Sequence, residues 1–144
     1  MEDCIFCKII NGDIPSYKVY EDEVVYAFLD ISQATPGHTL VVPKHHVKDI
    51  FAYDADLAAR VFARLPKIAR AIKASNPKIV GMNILNNNGK AAYQSVFHSH
   101  IHLLPRYADD KFSMTFIDNQ EAYDEAKYQA VCDAIVAQLA NENN

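Results

Sequence analysis

The densest chemistry in this chain lies in the run Val96-Phe97-His98-Ser99-His100-Ile101-His102-Leu103-Leu104. Alternate side chains of an extended strand share a face, so a strand over Phe97–Leu104 is predicted to point His98, His100 and His102 one way. Ser99, Ile101 and Leu103 then face the core. The three rings start from Cα atoms about 6.6 Å apart, which makes them a row. The chain has 6 histidines, and three at i, i+2, i+4 fit a merely polar outer face poorly. Two chemistries suit such a row. Imidazole is a common zinc ligand, and strand neighbours can share an ion. Imidazole also titrates near pH 6.5, so a free ring nitrogen can attack phosphorus while a neighbouring ring protonates the leaving group.

A second candidate is the C-x-x-C pair Cys4 and Cys7, placed in an N-terminal turn. Two thiols are half of a tetrahedral zinc site. A pair of reduced surface thiols is the plainer reading. A thioredoxin-like redox pair fits least, because no strand leads into it and no helix opens from it. Cys132 falls in a late amphipathic segment and reads as a packed core thiol.

The elements that must position these groups follow from the pattern. Tyr17–Tyr20 and Val24–Asp30 read as a β-hairpin joined through Glu21-Asp22-Glu23. After the turn Thr35-Pro36-Gly37, the run His38–Val42 reads as a buried strand ended by Pro43. Leu57, Val61, Leu65, Ile68 and Ile72 recur at spacings of three and four, which predicts one long helix over Asp54–Ser75. Asp54 is its N-cap, and Pro66 bends it. Ile79–Leu85 is a further strand, Asn86–Gly89 a turn, and Asn119–Asn141 a weaker helical pattern. Strands joined mostly by turns favour an α+β fold with an antiparallel sheet, one long helix and a C-terminal helix.

With the elements laid out, the chain resembles the histidine triad family. His98-Ser99-His100-Ile101-His102-Leu103-Leu104 follows its H-φ-H-φ-H-φ-φ signature, except that Ser99 stands where the signature has an apolar residue. Phe28-Leu29-Asp30-Ile31, Pro36 to Lys44, Asn86–Gly89 and Gln94-Ser95-Val96 are similar to other family segments, and the likeness runs to Tyr107. Within the family it is similar to the nucleotide-binding branch with a bacterial-type C-x-x-C start. Tyr93 departs from it, standing where many relatives carry glycine.

The resemblance implies one domain over residues 1–144, with the tail 107–144 unmatched, and a homodimer. It implies His100 as nucleophile, forming a nucleotidyl-histidine that water hydrolyses, with His102 and His38 around the phosphate. It implies Asp30 at the ribose hydroxyls, Ile31 and Phe28 at the base, and Asn87, Gln94 and Ser95 at the phosphate or leaving group. For the cysteines it supplies the missing ligands, His46 and His98, as in the related galactose-1-phosphate uridylyltransferases. A closed Cys₂His₂ zinc would be structural, with no cofactor required for the chemistry. The implied activity is hydrolysis of purine nucleoside phosphoramidates at the α-phosphorus. Dinucleoside polyphosphate hydrolysis and a nucleotide-binding module with incidental activity are the alternatives.

Composition bounds the rest. The chain has 144 residues, 50% of them apolar and 22% charged, with a net charge of −4. That suits one globular core and no basic tract, so nucleic acid is not an expected partner. No secretory signal or spanning run is apparent, which leads to the expectation of a cytoplasmic protein without a membrane partner.

Overall fold

Three apolar runs stand side by side at the centre of the structure, a computed structural model that describes residues 3–142. They are β2 (Val25–Leu29), β3 (Thr39–Pro43) and β5 (Ile101–Arg106), with β1 (Lys18–Glu21) and β4 (Gly81–Asn86) at the edges. The order is β1-β2-β3-β5-β4 and every pairing is antiparallel, so the predicted α+β sheet is present. β3 is buried along its whole length, as a β-branched run covered on both faces should be.

Alternation along the strands makes two cores. Val25, Ala27, Val41, Ile101 and Leu103 pack with Val61, Leu65, Ile68 and Ile72 of two helices, α2 (Ala55–Phe62) and α3 (Leu65–Ser75). Tyr26, Phe28, Leu40 and Val42 face the other way, against Phe6 and Ile9 of α1 (Ile5–Ile10). Leu40 lies opposite His102 in the ladder, so the α1 face is the one that receives the histidines.

Several expectations need correction. The long helix is two helices, because Pro66 lacks the N–H a continuous helix needs and sits instead in the first turn of α3. Asp54 does cap α2, its carboxylate accepting the Leu57 N–H. The histidine strand begins at Ile101 rather than Phe97 and runs through Pro105 to Arg106. Ladder pairing to β3 ends at Val41–Ile101; beyond it the Ser99 N–H turns to the Val47 carbonyl. The cysteines lie not in a bare turn but at the start of α1, with Cys4 as its N-cap.

The chain divides into two compact units, Met1–Phe112 and Ser113–Asn144. In the second, α4 (Glu125–Leu139) opens at Asp124, whose carboxylate accepts the Lys127 N–H. Cys132 is exposed there, against the packed thiol expected, and so are Tyr128, Val131, Ile135 and Leu139. Among the described residues no helix is long and apolar enough to cross a membrane.

Candidate active site

His98 and His100 ride on the irregular segment before β5, while His102 is in the strand. The three rings therefore do not form one row. His98 turns to the cysteines, whereas His100 and His102 stay neighbours with ring centroids 5.2 Å apart. His38, just before β3, joins them, its ring centroid 5.1 Å from that of His102.

A neutral imidazole carries one proton, and each ring's partners decide where it sits. The His98 carbonyl accepts from His100 Nδ1–H at 2.9 Å, which leaves the His100 Nε2 lone pair free. The Ala34 N–H donates to His38 Nδ1 at 3.3 Å, so the His38 proton is on Nε2. That Nε2–H donates to His102 Nδ1 at 2.9 Å, which places the His102 proton on its own Nε2. Burial lowers the pKa of His38, against the pull of Asp30. Burial lowers His100 as well, and together with the neighbouring His100 and His38 it brings His102 down to about 4. All three are neutral at pH 7. Asp30 Oδ2 lies 3.8 Å from His38 Nε2. Asp30, His38 and His102 thus converge as three metal ligands could. A cation there would need a lone pair where His38 carries its proton, so the cluster is a hydrogen-bonded chain.

At the other end lone pairs do converge. Cys4 Sγ and Cys7 Sγ lie 3.3 and 3.5 Å from His98 Nδ1, and Cys7 Sγ lies 3.4 Å from His46 Nδ1. Zinc bonds of 2.0–2.3 Å at a tetrahedral angle put S and N ligands about 3.5 Å apart, so the spacing fits. His98 Nε2–H donates to the buried Pro43 carbonyl at 2.8 Å, which fixes the tautomer that turns Nδ1 to the thiols. Burial first, then the neighbouring Cys4, push the Cys7 thiol up to about 11, a cost that a bound cation reverses. Cys4, Cys7, His46 and His98 could hold a metal ion.

A cavity of about 490 Å³ opens beside the triad, lined by the apolar Phe6, Ile9 and Phe28 and by the polar Asp30, His100 and His102. Ile31 and Ser95 border it as well. Phe28 is buried and Ile31 is 91% exposed, so they are floor and rim. Asp30 Oδ1 already accepts the Ser32 N–H and hydroxyl at 2.8 and 2.6 Å, which leaves Oδ2 for a ligand. Burial works against its ionisation, but these two bonds and the nearby histidines hold its pKa below the usual carboxylate value. Gln94 is buried with its side chain fully engaged: Oε1 accepts the Gly89 N–H, and Nε2 donates to the Lys48 and Val96 carbonyls. It locks the loop rather than facing the cavity. Asn87 is half-buried and does not border the cavity.

Phe6, Gln33 and Asn86 also shape the site. Phe6 sits edge-on to both His100 and Phe28, at centroid distances of 5.0 and 5.6 Å. Its signal was the i, i+3 apolar pair Phe6–Ile9 inside the cysteine segment. Gln33, at φ 44°, ties the 30–38 loop by donating to the Asp30 and His38 carbonyls and accepting the Gly37 N–H. Asn86 Nδ2 donates to the His100 carbonyl. No local pattern marks either.

Residues 11–109 match the model of the HIT domain. The chain belongs to the histidine triad family. It is 51% identical to the protein Hit of Bacillus subtilis over 141 residues, 97% of either chain. It is 40% identical to an adenosine 5′-monophosphoramidase of Candida albicans, covering 72% of this chain and 70% of that one. An adenylylsulfatase of Arabidopsis thaliana is also 40% identical, over 75% of this chain and 54% of the plant protein. Among solved structures, a HIT family member from Bacillus subtilis superposes with a TM-score of 0.90 at 50% identity, covering 94% of this chain and 96% of that one. A zinc-bound histidine triad protein from Mycobacterium smegmatis gives 0.73 at 39% identity, covering 97% of each.

Proposed function

We propose that this histidine triad protein hydrolyses purine nucleoside 5′-phosphoramidates through a nucleotidyl-His100 intermediate. One observation carries the reading: His100 Nδ1–H is committed to the His98 carbonyl, so a neutral ring offers its Nε2 lone pair beside the cavity. The named activities of the Candida and Arabidopsis relatives, both on adenylyl groups, support the substrate class.

In this reading the base lies over Phe28 and against Ile31, and the free oxygen of Asp30 meets the ribose hydroxyls. Nε2 of His100 attacks the α-phosphorus, and the P–N bond breaks with its electron pair passing to nitrogen. The amine leaves neutral when the substrate nitrogen enters protonated. His102 Nε2–H, aligned by the proton of His38, stabilises the phosphoryl oxygens as charge develops. Water then attacks phosphorus, the N–P bond breaks back to neutral His100, and the water's proton passes to solvent. Ser95 at the rim and Asn87 in the adjoining loop attend the leaving-group side, where dinucleoside polyphosphates are the runner-up substrates. Gln94 acts by fixing that loop.

The Cys4–Cys7–His46–His98 set is read as a structural zinc site, closed by four protein ligands and tying α1 to the sheet. By family likeness the chain pairs as a homodimer and works in the cytoplasm; light scattering at micromolar concentration tests the pairing. The deciding assay is AMP release from adenosine 5′-phosphoramidate by wild type and His100→Ala. Release that vanishes in the variant supports the reading. A folded wild type that binds AMP yet releases none from any phosphoramidate or polyphosphate makes this a binding module.

A further inference from the structure

Ser99 is the one signature position where this chain departs from an apolar residue, and the structure gives that hydroxyl a partner. Ser99 is 1% exposed. Its Oγ lies 2.9 Å from the hydroxyl of Tyr53, 46 residues away in the chain. A buried hydroxyl without a partner would cost stability, and among the described residues no buried side-chain polar atom lacks one. Ser99 does not border the cavity, so the pair touches no substrate.

Its place in the backbone matters more than its burial. Residues 97–100 lie outside the β-ladder, yet they carry the His98 carbonyl and the His100 ring whose 2.9 Å hydrogen bond sets the nucleophile's tautomer. Ser99 is the residue between them. Its N–H donates to the Val47 carbonyl at 2.7 Å, and its side chain is held from the opposite core by Tyr53. Tyr53 is itself anchored, with its ring 6.1 Å from that of Phe62 and packed against the α2–α3 core. The turn before it is fixed by Ile50 N–H donating to Asn88 Oδ1 at 2.7 Å. An apolar residue at 99 would fill the space, but packing is non-directional. A hydrogen bond sets the rotation of the segment as well as its depth.

We propose that Tyr53 and Ser99 are positioning residues for the nucleophile: their buried hydrogen bond holds the His98–His100 backbone in the conformation that aims His100 at the α-phosphorus. The inference rests on the hydrolase reading above. It places the effect of the pair on the adenylyl-transfer step and not on nucleotide binding.

Tyr53→Phe removes one oxygen and keeps the ring, Ser99→Ala removes the other, and Ser99→Thr keeps the hydroxyl. Single-turnover adenylyl transfer is expected to fall about tenfold in each of the first two, with AMP affinity within about twofold of wild type. The double variant Tyr53→Phe/Ser99→Ala should also lose about tenfold rather than a hundredfold, because both changes break one bond. Ser99→Thr should stay within about threefold of wild type. Alongside, the proton on His100 Nδ1, followed by ¹⁵N-edited NMR, should broaden or shift in Tyr53→Phe and not in Ser99→Thr. Variants that melt earlier but keep the transfer rate and the His100 signal would overturn the proposal. If wild type releases no AMP, the hydrolase reading fails by itself, and the His100 signal in Tyr53→Phe still decides whether the pair positions the ring.

Discussion

The two ends of the histidine triad use one residue type for opposite purposes. At His98 and His46, ring Nδ1 atoms and thiol sulfurs converge to within 3.5 Å. At His38 and His102, an N–H meets a lone pair at 2.9 Å. The difference comes from the neighbours of each ring. The Pro43 carbonyl takes the His98 proton away from the thiols, and the Ala34 N–H pushes the His38 proton toward His102. Backbone groups of Pro43 and Ala34 therefore decide whether a ring presents a lone pair or an N–H. His100 sits between the ends, joined to the first by the His98 carbonyl and to the second by contact with His102.

The comparison breaks most sharply at His100. His100→Ala is expected to lower phosphoramidate turnover by about 10³-fold or more while AMP binding persists. A smaller loss in that assay would mean that the nucleophile is elsewhere. Next comes the donor end. His102→Ala should cost about 10²-fold in kcat, and His38→Ala about tenfold, since His38 acts through His102. Equal losses from both would show that the chain is not a relay of orientation.

At the ligand end the effect should be on stability. Metal analysis is expected to find one zinc per chain, lost in Cys7→Ser. Chelation should lower the thermal midpoint by about 5 °C or more and leave turnover of the folded protein within about tenfold. Turnover abolished by chelation with the fold intact would erase the distinction between the ends.

The smallest effect separates them by pH. Burial, reinforced by the neighbouring His100 and His38, lowers His102 to about 4, against about 6.5 in an unfolded chain. Between those values the unfolded chain binds a proton that the folded one refuses. Stability is then full above pH 6.5 and declines as pH falls toward 4. Urea melts at pH 7 and pH 5 should show that decline, and His102→Gln should reduce it.

Much of this was legible from residue order. Strand and helix periodicity placed the hairpin, β3, β4 and the helical region from Asp54, but not the register that sets Val25 against Pro43 and Leu40 against His102. Pro66 announced a disturbance, although its position in the first turn of α3 turned the expected bend into a break. The strand starts at Ile101 and not at Phe97; alternation of His98, His100 and His102 looks extended even where no partner strand continues. Gln94 read as a ligand because a loop amide has no mark that tells a cavity from a carbonyl.

What the sequence determined by itself is the inventory: three spaced histidines, a cysteine pair, Asp30 after an apolar strand, and an α+β pattern able to bring them together. Those are properties of residue type and period, which exist before any fold does. Only the tertiary structure decided the protonation of His98 and His102, because those two protons are set by partners from distant segments. Pro43 lies 55 residues from His98, and His38 lies 64 from His102. A hydrogen bond is settled by distance and direction in space, and neither is written in the order of the chain.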